Sequence, residues 1–111
     1  MIIAQWTYEV PEGKREGLLR FMNGEMRGIY RAHGCLRHEV LLPVAAGKRY
    51  SSFHDDLRPT VGEHLGFADQ RAFETFLETM DADPAASSAT ARYEAEFGVY
   101  NCAFTLLTLD A

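Results

Sequence analysis

Hydrophobic and polar positions alternate through residues 2–10 (IIAQWTYEV), with Ile2, Ala4, Trp6, Tyr8 and Val10 on one face and Ile3, Gln5, Thr7 and Glu9 on the other, a pattern that predicts a strand. After Pro11-Glu12-Gly13 the period changes. Leu18, Leu19, Met22, Met26, Ile29 and Tyr30 recur at helical spacing until His33-Gly34 offers a glycine stop, giving a first helix of about five turns. Residues 35–42 (CLRHEVLL) read as a second strand, with Cys35, Arg37, Glu39 and Leu41 opposite Leu36, His38, Val40 and Leu42. From Pro43 to Pro59 the pattern dissolves into turn chemistry and a polar cluster, Ser51–Asp56, a loop long enough to be functional or covered by a partner.

Residues 60–67 (TVGEHLGF) alternate again, placing Val61, Glu63, Leu65 and Phe67 together and Gly62, His64 and Gly66 opposite. Asp69 is placed to cap the next helix, whose Phe73, Phe76, Leu77 and Met80 form a stripe that must be buried. Asp83-Pro84 starts a short Ala/Ser-rich helix to about Glu96, and residues 97–109 close the chain as a fourth strand. The order β-α-β-β-α-(α)-β predicts an α+β, ferredoxin-like fold with an antiparallel four-stranded sheet. Helices on one side leave the other sheet face, with Ile3, Leu36, Val40 and Leu42, for a second copy of the chain, so a homodimer is expected.

The length of 111 residues is enough for a single domain, 1–111, and too little for two. No apolar run reaches the roughly 20 residues a bilayer requires, and the start lacks a basic leader, so a cytoplasmic protein without membrane contact is expected. Asp+Glu 16 against Lys+Arg 11 gives a net charge of -5, with the arginines interleaved among acids, which argues against nucleic acid as a partner. Cys35 and Cys102 lack CxxC spacing and read as buried thiols. Nucleotide fingerprints and a serine-hydrolase motif are absent. His54-Asp55-Asp56 with Glu63-His64 offers metal-ligating types at a spacing that fits no ligand motif, so no metal is expected.

Glu63 is the candidate with the clearest chemistry. A carboxylate on an apolar strand face is uncommon unless paired, with an arginine such as Arg37 for instance, or at work as a general base. Trp6 and Tyr8 point toward the helices, either as core aromatics or as a stacking surface and a hydroxyl that orient a planar substrate. His38 and His64 fall on the faces assigned to the dimer, and His33 reads as a helix-capping residue.

Several fragments carry a resemblance: VPEGK after the first strand, HGCLRHE at the end of the first helix, HLGFADQRAFETFL and NCAFTLLTL. Together the chain resembles the antibiotic-biosynthesis monooxygenase family of dimeric α/β barrels, and PVAAGKRYSSF is similar to the longer connection of its quinol monooxygenase branch. The resemblance implies a homodimer, a pocket between sheet and helices, and in several members oxidation of a phenol, hydroquinone or anthrone by O2 without a cofactor. The chain departs from the family at Phe67-Ala68-Asp69, where many members have W-E-S, and at Phe76, where quinol monooxygenases commonly carry histidine. It also has Ala86 near the position of the iron-ligating histidine of haem-degrading relatives, and Phe73 where an anthrone oxygenase would have tyrosine.

The leading expectation is therefore a cofactor-independent monooxygenase of secondary metabolism acting on a small planar phenolic, hydroquinone or anthrone-type, polyketide-derived substrate. Glu63 would be the base with His38 as fallback, Tyr8 and Asn101 would hold the oxyanion, and Trp6, Phe67, Phe73 and Phe76 would line the substrate and exclude water. The alternatives are a polyketide cyclase or isomerase in the same pocket and a non-catalytic small-molecule-binding dimer.

Overall fold

The computed structural model describes residues 1–44 and 60–110. The elements are β1 (Ile2–Glu9), α1 (Glu12–Phe21), a π-helical turn (Met22–Met26), α2 (Arg27–Ala32), β2 (Arg37–Leu41), β3 (Val61–Phe67), α3 (Gln70–Ala82), α4 (Pro84–Ala95) and β4 (Tyr100–Thr108). The four strands form one antiparallel sheet in the order β2-β3-β1-β4, the ferredoxin-like plan expected from the element order. The polar cluster His54–Asp56 lies outside the described residues.

The first helical segment is continuous but not uniform. Leu18, Met22, Met26 and Tyr30 are all buried, and four-residue spacing advances about 40° per step around a regular α-helix. The π-helical turn takes up that excess and keeps the stripe on the core. The helix ends at Gly34, whose φ of 97° closes the chain with the Cys35 amide donating to the Tyr30 carbonyl. Asp69 caps α3 by accepting from the Ala72 amide at 2.8 Å, and Asp83 caps α4 by accepting from the Ala85 amide ahead of which Pro84 stands. Gly98, at φ 67°, turns the chain out of α4, so the last strand starts at Tyr100 and not at residue 97.

The inward faces of β1 and β3 are as expected: Ala4, Tyr8, Val61, Glu63, Leu65 and Phe67 are buried under the helices. The phase of β2 is not. His38 is buried and Val40 packs on the core, while Arg37, Glu39 and Leu41 face outward, the reverse of the face assigned to His38 and Val40 from the sequence. Cys35 is buried by the helix closure that precedes the strand, so its burial says nothing about the pleat that begins at Arg37. Leu36 and Leu42 do lie exposed, as do Phe104, Leu106, Leu107 and Leu109 along and after the edge strand β4. Cys102 is exposed on that strand, a second correction, because β4 is the edge of the sheet and the helices cover its inner face only in part, where Phe104 stacks on Phe73. His33 does not cap carbonyls: its ring bonds Thr79 and Asp83, each at 2.9 Å, tying the end of α2 to the junction of α3 and α4. His64 sits on the outward face and bonds the Gln5 side chain at 2.9 Å. No helix among the described residues is long and apolar enough to cross a membrane.

Candidate functional site

Glu63 lies at the middle of β3, opposite Trp6 on β1 and Val40 on β2, with no solvent exposure. The antiparallel register places Tyr8 and His38 diagonally on either side of it on the inner face. Tyr8 donates its hydroxyl to Oε2 at 2.9 Å. His38 Nε2 lies 2.8 Å from Oε1. Tyr93, reaching down from α4, donates to both carboxylate oxygens at 3.1 Å. The carboxylate thus has three donors, and the pairing with Arg37 considered from sequence does not occur: Arg37 bonds Glu39 at 3.0 Å on the outward face.

A second layer completes the arrangement. Tyr30 Oη is 2.9 Å from Tyr93 Oη, and because the Tyr93 proton is committed to the carboxylate, Tyr30 is the donor. Arg27 Nε donates to His38 Nδ1 at 3.0 Å, and its Nη2 donates to Asn23 Oδ1 at 2.8 Å. Burial and the negative charge of Glu63 push the ionisation of Tyr8, Tyr30 and Tyr93 well above the ordinary tyrosine range, so all three remain hydrogen-bond donors.

A cavity of about 820 Å³ opens between the sheet and the helices α3 and α4. Its floor carries Trp6, Tyr8, Tyr30 and Tyr93, its walls Phe76, Leu77, Met80 and Val99, and its polar margin Asp81, Ser87, Thr90 and Glu94. Trp6 packs against Phe104 and Phe73, at ring-centroid distances of 4.7 and 6.4 Å.

Of the residues singled out from the sequence, Trp6, Tyr8 and Phe76 line this cavity, whereas Glu63 and His38 stand behind its tyrosine floor. Phe67 and Phe73 are core residues that pack on Phe76 and Trp6 without lining it. Asn101 is turned away: it is exposed, holds a positive φ of 50°, and its amide donates to Glu9. Three participants escaped the sequence reading as functional residues: Arg27, Tyr30 and Tyr93. Tyr93 had a signal, being the large polar-tipped residue at the end of a stripe of small buried ones, Ala86 and Ala89. Arg27 had none, because its place depends on the π-helical turn.

No family model matches the chain, and no curated protein does. Solved structures do share the fold. A candidate antibiotic biosynthesis monooxygenase from Deinococcus radiodurans superimposes with a TM-score of 0.66 at 14% identity, over 100% of this chain and 94% of that one. An uncharacterised NIPSNAP domain protein from Burkholderia xenovorans gives 0.67 at 17% identity, over 100% and 96%. SnoaB, a cofactor-independent oxygenase from Streptomyces nogalater, gives 0.60 at 16% identity, over 99% and 93%. At such identities the likeness is one of fold.

Proposed function

We propose, for a chain that folds like the antibiotic biosynthesis monooxygenases, that it oxidises a small planar phenol, hydroquinone or anthrone-type substrate with O2, as a cytoplasmic homodimer in secondary metabolism. The observation that carries this reading is the buried Glu63 carboxylate, hydrogen-bonded to two phenols that line a substrate-sized cavity. For an anthrone methylene the balance is RH2 + O2 → R=O + H2O. The base takes a proton, the substrate anion passes an electron to O2, the radical and superoxide combine to a peroxide, and loss of water leaves the carbonyl. The substrate supplies the reducing power, so the protein has to take a proton and stabilise an oxyanion. Glu63 is the base, acting through the tyrosine floor, and Trp6 and Phe76 hold the planar rings and exclude water. The exposed apolar residues of β4 and of the outward sheet face supply the homodimer contact.

The tyrosine hydroxyls joined to Glu63 at the cavity also suit one alternative, a cyclase or isomerase that closes a polyketide chain by acid–base catalysis. Oxygen uptake against a panel of hydroquinones and anthrones, with Glu63→Gln alongside, separates the readings. Uptake by the unaltered protein and its loss in the variant is the expected result. Substrate consumption without oxygen uptake would replace oxygenation by cyclisation, and tight binding without turnover would leave a binding protein.

A further inference from the structure

The geometry points to Arg27 as a positioning residue that locks His38 as a neutral Nε2–H donor, so that protons reach and leave Glu63 only through the cavity tyrosines. This rests on the reading of Glu63 as the base and deepens it. A guanidinium has only donors, so the 3.0 Å contact from Arg27 Nε requires a lone pair on His38 Nδ1. The ring proton then sits on Nε2, where it is given to Glu63 Oε1 at 2.8 Å. Both ring nitrogens are occupied, and no lone pair is left with which His38 could act as a base. The guanidinium beyond it cannot give up a proton either, so the chain Glu63–His38–Arg27 is closed to proton exit.

The groups that surround the imidazole agree with this assignment. Tyr30 meets it edge-on at 5.2 Å, and Glu63 receives from it across β3, while Tyr8 and Tyr93 reach it only through that carboxylate. Arg27 is itself held by Asn23, whose amide also donates to the Leu19 carbonyl at 2.9 Å, and its Nη2 donates to the His38 carbonyl at 3.4 Å, so the π-helical turn fixes the guanidinium against Nδ1. On the cavity side, Tyr93 already accepts from Tyr30, whereas among the described residues the Tyr8 oxygen accepts no hydrogen bond. A substrate hydroxyl can therefore donate to Tyr8 as the Tyr8 proton moves to Glu63 Oε2. The outcome is substrate anion and neutral carboxyl, with the phenol unchanged, and the same path returns the proton.

Nitrogen NMR of isotope-labelled protein, with the His38 resonances identified by their absence from His38→Asn, tests this without any substrate. In the unaltered protein at neutral pH, Nε2 should carry the proton and Nδ1 should resonate as an unprotonated nitrogen. In Arg27→Ala, the Nδ1 resonance should shift toward the protonated position, and in Asn23→Ala, which removes the side-chain anchor of the guanidinium and leaves its contact with the His38 carbonyl, it should shift part of the way. A proton on Nδ1 in the unaltered protein would overturn the inference whether or not either variant folds, and so would an Nδ1 resonance unmoved in Arg27→Ala. Because the readout needs no turnover, absence of oxygenase activity would leave it standing.

Discussion

His38 Nε2 and Glu63 Oε1 lie 2.8 Å apart with both side chains wholly shielded from solvent. An imidazole N–H facing a carboxylate in such surroundings is a strong, directional contact, and its loss leaves a buried group unsatisfied. Glu63→Gln makes this measurable. The amide has one acceptor and a two-proton donor where the carboxylate served three donors, so at least one of the hydrogen bonds from Tyr8, Tyr93 or His38 must be lost or reversed. The variant should unfold about 1–3 kcal/mol more easily in urea while keeping its circular dichroism spectrum. Its oxygen uptake should fall about 100-fold or more. Uptake within a factor of two of the parent would remove Glu63 from the mechanism.

The two tyrosines that touch Glu63 should behave differently. Tyr8→Phe removes one donor and the open acceptor at the cavity, so turnover should drop about 100-fold or more while stability changes by about 1 kcal/mol. Tyr93→Phe also strands the Tyr30 hydroxyl, and should be the less stable of the two. Denaturant titrations beside steady-state rates would check the order. A Tyr8→Phe protein with parental kcat would break the proposed proton path.

Alkaline pH should unfold the protein steeply. Tyr8, Tyr30 and Tyr93 have folded-state values raised above the ordinary tyrosine value of 10.0, chiefly by burial. Unfolding exposes three phenols that ionise, so their contribution is intact below about pH 10 and declines as pH rises beyond it. The slope should reach about 4 kcal/mol per pH unit, and Tyr30→Phe should remove about a third of it. Phenolate absorbance rising before the loss of circular dichroism, and accounting for these three residues, would contradict their burial.

Self-association through the uncovered sheet should be sensitive to charge on β4. Leu107 pairs with Ile3 across the sheet, and more than two-fifths of its surface is exposed. Leu107→Asp should shift the sedimentation velocity distribution toward monomer without lowering helix content. A distribution identical to that of the parent would place the dimer contact elsewhere.

The fold was legible because strands and helices advertise themselves by period, and Asp69, Asp83-Pro84 and Gly34 mark their ends with local chemistry. The inward position of Glu63 was legible for the same reason, as it sits among Val61, Leu65 and Phe67. The direction of His38 was not, since five residues of β2 carry polar groups on both faces and the buried Cys35 beside them belongs to a helix closure. Alternation also cannot distinguish a residue that lines a cavity from one behind it. That difference separates Tyr8 from Glu63, and it arises where Tyr93 from α4, remote in sequence, comes down over the sheet.

The widened turn between α1 and α2 holds one residue more than an α-helical turn would. Leu18 and Tyr30 share a face only because of that extra residue; in an uninterrupted helix they would diverge by about 120°. A chain that builds the same helix without it therefore matches this one across a single-residue gap at 22–26. Matched without the gap, Arg27 and Tyr30 fall opposite positions about 100° around the helix, and the guanidinium and phenol that bracket His38 acquire counterparts with no access to it.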